Sequence, residues 1–236
     1  MRLFVTGDVH GDIDYRKLKE FRKLMKHDLT LDDCLIVCGD FGILWDSKRH
    51  DKYFTERVYK DFPCTILWVC GNHENFDTLY SYPVETWNGG KVHRITDRIL
   101  HLMRGEVFTL PTRNSETKIF SFGGAMSTDR GYDTGDDRFW WEQELPNQGE
   151  MENALKNLAT HNNMVDFIFT HDAPQTALQV IVGGTLRPTD NKFSSFLESL
   201  ASTVEFKGWY FGHHHTDKSY DKYHCMYNSV KELSIC

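Results

Sequence analysis

The sequence lacks a long apolar run, is poor in proline and carries no excess of positive charge. No apolar stretch approaches the roughly 18 residues that a bilayer crossing needs, so we expect no membrane partner. Only 6 of 236 residues are proline and 40% are hydrophobic, which excludes a disordered or linker-dominated chain. Acidic residues outnumber basic ones by 34 to 27, for a formal charge of −7. This balance argues against a broad basic surface for duplex nucleic acid.

Paired cysteine motifs are also missing. The six cysteines include no CxxC pair, and four of them lie in or beside apolar runs. This pattern predicts reduced, buried thiols. The sequence turns acidic and glycine-rich after five residues, so its apolar start is too short for the hydrophobic region of a signal peptide. From these two features we expect a cytoplasmic protein.

The first half of the chain alternates short apolar runs with helical patterns. The runs cover 3–5, 35–37 and 65–69, and apolar residues recur at helical spacing between them. Such alternation favours βαβ units in a parallel sheet. A length of 236 residues without linker-like composition predicts one α/β domain over 1–236.

The middle of the chain has a different pattern. Three strand-like runs follow in close succession, and the short turns between them predict antiparallel pairing. These runs cover 98–103, 106–110 and 118–122. Further strands are predicted at 166–170 and 209–211, and a last strand or hairpin from about 221 to 230.

Five of the apolar runs end in loops that hold histidine, aspartate or asparagine. The loops are GDVHG at 7–11, GDFG at 39–42, GNHE at 71–74, THD at 170–172 and GHHH at 212–215. In open α/β sheets, sites form beyond the carboxyl ends of parallel strands, which would bring these loops to one edge. Asp8, Asp40 and Asn72 are each separated by 32 residues, which fits one polar group per βαβ unit.

The residue types in these loops suit a transition-metal site. Carboxylate and imidazole together are typical ligands of manganese, iron, zinc or nickel. Asp8 and His10 are two residues apart in an extended loop and can point to one side, as can His213 and His215. The two oxygens of Asp40 could bridge two ions. A single histidine is more often a hydrogen-bonded core residue, but five such loops in one chain predict a metal site.

This ordered set of motifs resembles the calcineurin-like metallophosphoesterases, and the resemblance runs from Asp8 to His215. It implies an α/β fold in which two mixed β-sheets are flanked by helices, a four-layer αββα sandwich. It also implies a place for His73 beside the substrate phosphate. The two implied metal sites are Asp8, His10, Asp40 and His215 for one ion, and Asp40, Asn72, His171 and His213 for the other.

The predicted activity is hydrolysis of a phosphomonoester or phosphodiester by attack of metal-bound hydroxide. Two divalent cations about 3.5–4 Å apart can clamp a phosphoryl group and supply that hydroxide near neutral pH. Manganese is the expected ion in vitro, with iron, zinc or nickel as other candidates. His73 is the predicted catalytic residue, as a donor to a phosphate oxygen or as general acid to the leaving group. The alternative role of His73 is to orient another group.

The expected substrate is a phosphorylated small molecule or a nucleotide. A nuclease or nucleotide phosphodiesterase with the same chemistry is an alternative function. A metal-binding scaffold without catalysis is a second alternative. The sequence leaves the oligomeric state open.

The second motif departs from the phosphoprotein phosphatase branch, which carries GDxxDRG. Here 39–44 reads GDFGIL, so the aspartate that orients the catalytic histidine and the arginine that grips phosphate are absent. Asp46 is a possible substitute for that aspartate. The sequence is instead similar to bacterial and phage members of the superfamily, through the long Gly/Asp-rich segment after residue 122.

Several polar and aromatic residues near these motifs could have either a functional or a structural role. Arg130 and Arg138 could bind phosphate with two hydrogen bonds each, or could pair with neighbouring carboxylates. Trp140 and Trp141 could stack on a base or a sugar, or could pack in the core. Asp172 could accept a hydrogen bond from a metal-binding histidine.

Overall fold

A computed structural model describes residues 1–26, 28–45, 48–112, 115–127, 140–183 and 191–234, without the side chain of residue 191. In chain order the elements are β1 (Leu3–Thr6), α1 (Arg16–Leu24), β2 (Cys34–Cys38), α2 (Lys48–Asp61), β3 (Thr65–Val69), α3 (Phe76–Leu79), β4 (Val84–Trp87), β5 (Gly90–Arg94), β6 (Ile99–Leu102), β7 (Glu106–Pro111), β8 (Glu116–Phe122), a 3₁₀ turn (Glu142–Glu144), α4 (Gln148–Thr160), β9 (Phe167–Thr170), α5 (Gln175–Ile181), α6 (Asn191–Thr203), β10 (Gly208–Phe211), β11 (Lys218–Tyr220), β12 (Tyr223–Cys225) and β13 (Lys231–Leu233).

The strands form two mixed sheets. The first has the order β13-β1-β2-β3-β6-β5-β4, and the second has the order β11-β12-β10-β9-β8-β7. Strands β1, β2, β3 and β6 are parallel to one another, and so are β8, β9, β10 and β12. Antiparallel strands β13 and β5 flank the first parallel set, and β11 and β7 flank the second. The first half of the chain therefore forms the parallel βαβ units that its sequence predicts.

The two sheets face each other, and helices cover their outer sides. Along β1, the side chains of Leu3 and Val5 pack in a cluster shared with Phe169 of the second sheet. Phe4 belongs to a different cluster and packs against Phe21 of α1. A separate outer cluster joins the second sheet to α4, α5 and α6. Both faces of the central strands are buried, which explains why they are continuous apolar runs rather than alternating ones. The four-layer αββα sandwich is thus confirmed.

The pairing predicted for the middle strands is wrong in one respect. β7 and β8 are antiparallel neighbours, as expected. β6, however, lies beside β3 in the first sheet, so the chain changes sheets between β6 and β7. Arg104 lies at this crossing, and its buried guanidinium donates hydrogen bonds to the carbonyls of Gly123 and Gln143. The strand pattern in the sequence reveals the strands but not the sheet to which each belongs.

The C-terminal segment also differs from a simple hairpin. β12 is parallel to β10 in the second sheet, whereas β13 is antiparallel to β1 in the first. The link between them, 226–230, therefore passes from one sheet to the other at the edge where β1 and β10 end.

Two expectations from composition concern cysteines and membrane segments. Cys34, Cys38, Cys64, Cys70 and Cys225 are buried and unpaired, so the described cysteines form no disulfide. Among the described residues, none of the helices has the length and apolar character needed to cross a bilayer.

Candidate metal centre

The loops that follow five parallel strands meet at one edge of the sandwich. Asp8 follows β1, Asp40 follows β2 and Asn72 follows β3, all in the first sheet. His171 follows β9, and the GHHH loop follows β10, both in the second sheet. Side chains that follow the two sheets contact one another and form one site. The sequence prediction that these loops share one edge is therefore correct.

Asp40 lies between two histidines of different loops. Its Oδ2 atom is 3.5 Å from Nε2 of His10 and 3.4 Å from Nε2 of His171. Asp8 has a similar position, because its Oδ1 atom is 3.9 Å from Nε2 of His171 and 3.8 Å from Nε2 of His215. Two groups of possible ligand atoms result, Asp8–His10–His215 and Asp8–Asp40–His171, each within 4.8 Å.

Asn72 and His213 lie beside His171. Oδ1 of Asn72 is 3.1 Å from Nε2 of His171, and the rings of His171 and His213 are 5.0 Å apart between centroids. The backbone N–H of His213 donates to both carboxylate oxygens of Asp8, at 3.0 Å each. The other five predicted ligands are thus gathered around the two aspartates.

The loop backbones are bent to bring these side chains together. His10, Asp40, His213 and His215 have φ values of 47°, 46°, 63° and 46°, in the left-handed region that residues other than glycine rarely adopt. Gly39 has a φ of 89°, and a Cβ there would lie 2.0 Å from Nδ1 of His171. Strained backbone of this kind is concentrated at functional sites.

The carboxylates and histidines strongly perturb one another. Burial lowers the pKa of His171, but the carboxylates of Asp40 and Asp8 outweigh burial and raise it to about 10. Burial likewise raises the pKa of Asp40, yet His171 and His10 reverse this and hold it well below the usual range. Burial raises the pKa of Asp8, with a further rise from the Asp40 carboxylate.

This electrostatic arrangement fits a bound cation. Asp8 and Asp40 are 0% and 1% exposed, so their charge must be balanced by groups within the protein. Their neighbours offer imidazole nitrogens and one amide oxygen, and such mixed nitrogen and oxygen sets suit divalent transition metals. Burial lowers the pKa of His213 to about 4, which leaves its ring neutral and able to bind metal at neutral pH.

His73 lies at the rim of the centre. Its backbone N–H donates to Oδ1 of Asp40 at 2.8 Å, and its ring centroid is 6.2 Å from that of His10. The half-buried ring stacks on Trp45, with centroids 5.7 Å apart and an interplanar angle of 24°. Trp45 also contacts His10, at 5.4 Å between centroids. No pattern in the sequence points to Trp45, because this residue belongs to none of the motifs.

Two further carboxylates, those of Asp14 and Glu74, contact the loops of the centre and help to fix their positions. Nδ1 of His10 is 2.7 Å from Oδ2 of Asp14, which fixes the ring with Nε2 toward Asp40. Asp14 lies four residues after His10, a spacing that could have identified it. Glu74, to which the sequence assigned no role, is 1% exposed and accepts a hydrogen bond from the backbone N–H of Phe41 at 3.2 Å. Burial raises the pKa of Glu74 to about 8.

The structure describes some of the other residues for which the sequence allowed two roles. Asp172 accepts from Nε2 of His214 at 3.0 Å rather than from a predicted ligand. Trp141 is buried, and its indole N–H donates to Asp77 at 3.1 Å, which favours core packing. Trp140 is half-buried. Asp46, Arg130 and Arg138 lie outside the described residues.

Comparisons with known proteins agree with this geometry. A family model described as calcineurin-like phosphoesterase matches residues 1–217. No curated protein sequence matches the chain significantly.

Solved structures show a similar fold. A candidate 5′-nucleotidase from Staphylococcus aureus has a TM-score of 0.53 and 14% identity, over 98% of this chain and 50% of its own. GAP50, the anchor in the inner membrane complex of Plasmodium, has a TM-score of 0.55 and 12% identity, over 95% of this chain and 70% of its own. The chain therefore spans about half the length of the first of these relatives.

Proposed function

This chain belongs to the calcineurin-like phosphoesterase family, and we propose that it hydrolyses a phosphomonoester or phosphodiester with two divalent transition-metal ions. The observation that carries this proposal is the position of Asp40. Its Oδ2 atom lies within 3.5 Å of one histidine on each side, His10 and His171. A carboxylate flanked in this way suits the bridging position of a two-metal site.

We propose the two sets of metal ligands that membership of this family implies. Asp8, His10, Asp40 and His215 would hold one ion, and Asp40, Asn72, His171 and His213 would hold the other. Divalent ions held there would polarise the phosphoryl group and activate the attacking water. Asp8 lies close to members of both sets, because it belongs to both groups of possible ligand atoms.

His73 is the proposed catalytic residue. Its backbone is tied to Asp40, so the position of its ring is fixed relative to the metal ligands. From the rim, the ring could donate a hydrogen bond to a phosphate oxygen or a proton to the leaving group. Either role places His73 in contact with substrate and outside the ligand set.

The proposed substrate is a phosphorylated small molecule or a nucleotide. The net charge of −7 disfavours long nucleic acids, whose binding depends on cationic contacts to phosphates. The candidate 5′-nucleotidase among the similar structures gives some support to a nucleotide. A nuclease or nucleotide phosphodiesterase remains the second candidate function, since the same centre would serve either ester.

The test compares metal-stripped and reconstituted protein. We expect chelator treatment to abolish hydrolysis of p-nitrophenyl phosphate or bis-p-nitrophenyl phosphate, and about two equivalents of Mn²⁺ to restore it. Asp40→Asn should abolish activity, whereas Asp32→Asn, an exposed aspartate before β2, should leave it unchanged. The ratio of the two rates decides between monoesterase and diesterase. Full activity of the chelated protein or of Asp40→Asn would refute the proposal.

A further inference from the structure

The C-terminal link 226–230 lies against the proposed metal centre, although the family match ends at residue 217. The backbone N–H of Met226 donates to the carbonyl of Phe211 at 2.8 Å, just before the GHHH loop. A Cβ at Gly7 would lie 1.8 Å from the carbonyl oxygen of Met226. The link is thus packed against the residue that precedes Asp8.

Tyr227, in this link, contacts His215 directly and is connected to His10 through one carboxylate. Its ring stacks on that of His215, with centroids 4.7 Å apart and an interplanar angle of 12°. Its hydroxyl donates to Oδ1 of Asp14 at 3.2 Å. The other oxygen of Asp14 is the one that lies 2.7 Å from Nδ1 of His10. One tyrosine therefore reaches His215 directly and His10 through a single carboxylate.

Lys17 ties the third ligand of this group to the same tyrosine. Its buried ammonium donates to the backbone carbonyls of Gly7, Asp8 and Tyr227. It also lies 5.1 Å from the centroid of the Tyr227 ring. The loop that carries Asp8 and the link that carries Tyr227 are therefore held by one side chain.

The position of Tyr227 is itself fixed by a turn. The carboxylate of Asp217 accepts hydrogen bonds from the backbone N–H groups of Tyr227 and Asn228, both at 2.9 Å. It also accepts from the hydroxyl of Ser229 at 2.6 Å. These hydrogen bonds fix the backbone from which the Tyr227 side chain extends.

We infer that Tyr227 is a positioning residue that aligns His10 and His215 for one of the two metal ions, acting on His10 through Asp14. This inference rests on the proposed function. Groups that orient metal-binding histidines typically change metal affinity about 10- to 100-fold when they are removed. Tyr227 should affect the ion of Asp8, His10 and His215 and not the ion beside His171, because none of the described contacts of its side chain reaches His171.

The test measures metal binding by the full chain, without substrate. Wild type, Tyr227→Phe, Tyr227→Leu and Asp14→Asn are titrated with Mn²⁺ by calorimetry and with Co²⁺ by visible absorption. Tyr220→Phe is the matched control, since Tyr220 is 53% exposed in the same C-terminal region. We expect Tyr227→Phe, Tyr227→Leu and Asp14→Asn to lower the affinity for one of the two ions and to change the Co²⁺ spectrum of that site. The loss of affinity should be about tenfold or more for Tyr227→Leu. Tyr220→Phe should match wild type.

A double variant tests the route through Asp14. The loss in Asp14→Asn/Tyr227→Phe should be smaller than the product of the two single losses, because both act on His10. Melting temperatures show whether each variant is folded. If Tyr227→Leu is not folded, the metal affinity of Tyr227→Phe tests the inference.

Two results would overturn the inference alone: wild-type affinities in Tyr227→Phe and Tyr227→Leu, or equal weakening of both ions in folded protein. Absence of metal binding by wild type would instead overturn the proposed function.

Discussion

Asp40 accepts a hydrogen bond from the backbone N–H of His73 on one carboxylate oxygen and faces Nε2 of His171 with the other, at 2.8 Å and 3.4 Å respectively. The carboxylate between two proposed metal ions therefore also fixes the loop of the proposed catalytic histidine. A change in the position of Asp40 would move ligand and catalyst together. The contribution of His73 can be isolated only by changing its ring, because its backbone contact remains in any variant.

His73→Asn should lower kcat by about 10²- to 10⁴-fold, the usual contribution of a positioned acid or donor. Metal content should not change, because the hydrogen bond from His73 to Asp40 comes from the backbone N–H, which the variant keeps. If His73 is a general acid, the variant should lose more kcat on an alkyl phosphate than on p-nitrophenyl phosphate, because p-nitrophenolate leaves without needing a proton. A donor to a phosphate oxygen affects both substrates equally. His161→Asn, at the end of α4, is the control. Wild-type kcat in His73→Asn would contradict the assignment.

Trp45→Leu should lower kcat about tenfold, because the indole is the flat surface on which the His73 ring lies and small misplacements of a catalytic group are costly. Trp45→Phe keeps an aromatic face and should retain most of the activity. Metal content measured alongside kcat and KM separates this effect from a disturbance of His10. Trp87→Phe, in the edge strand β4, is a control for aromatic replacement. Equal kcat in Trp45→Leu and wild type would exclude a positioning role for Trp45.

The sequence could predict the parts of the site that are local. Each proposed ligand lies within a few residues of the end of a strand, and parallel strands bring their ends to one edge. That Asp8, Asp40, Asn72 and His171 lie at one edge could therefore be predicted without coordinates.

The parts that depend on packing between distant segments could not be predicted. Tyr227 and Asp14 are 213 residues apart, and only the passage of 226–230 between the sheets brings them together. A contact of Asp172 with a metal-binding histidine was one possibility from the sequence, but alternation along a loop does not fix how two loops face each other. The contact of Glu74 with the backbone N–H of Phe41 likewise joins two loops that are 33 residues apart in sequence.

Gly39→Ala should weaken metal binding at least tenfold. The added methyl would lie 2.0 Å from Nδ1 of His171, whose ring is held by a hydrogen bond to the carbonyl of Cys38 at 2.8 Å. Gly183→Ala is a close control, because Gly183 also has a positive φ, of 77°, but has no atoms within 4 Å of the added methyl. Gly183→Ala should cost only about 1 kcal/mol of unfolding free energy. Calorimetric titration with Mn²⁺ measures the difference, and equal affinities in the two variants would contradict the packing argument.

Asp33 should make a pH-dependent contribution to stability that is independent of the metal centre. Burial raises the pKa of its carboxyl, but hydrogen bonds from Arg2 and Thr30 outweigh burial and lower it to about 2. Since the unfolded pKa is about 3.9, the contribution is complete above that value and is lost as pH falls toward 2. Asp33→Asn should therefore reduce the unfolding free energy by about 2 kcal/mol at pH 7, and by progressively less below pH 4. Urea unfolding at pH 7, 5 and 3 measures this, with Asp32→Asn as the exposed neighbour. A difference between wild type and Asp33→Asn that stays constant down to pH 3 would show that the Arg2 pair does not stabilise the ionised carboxyl.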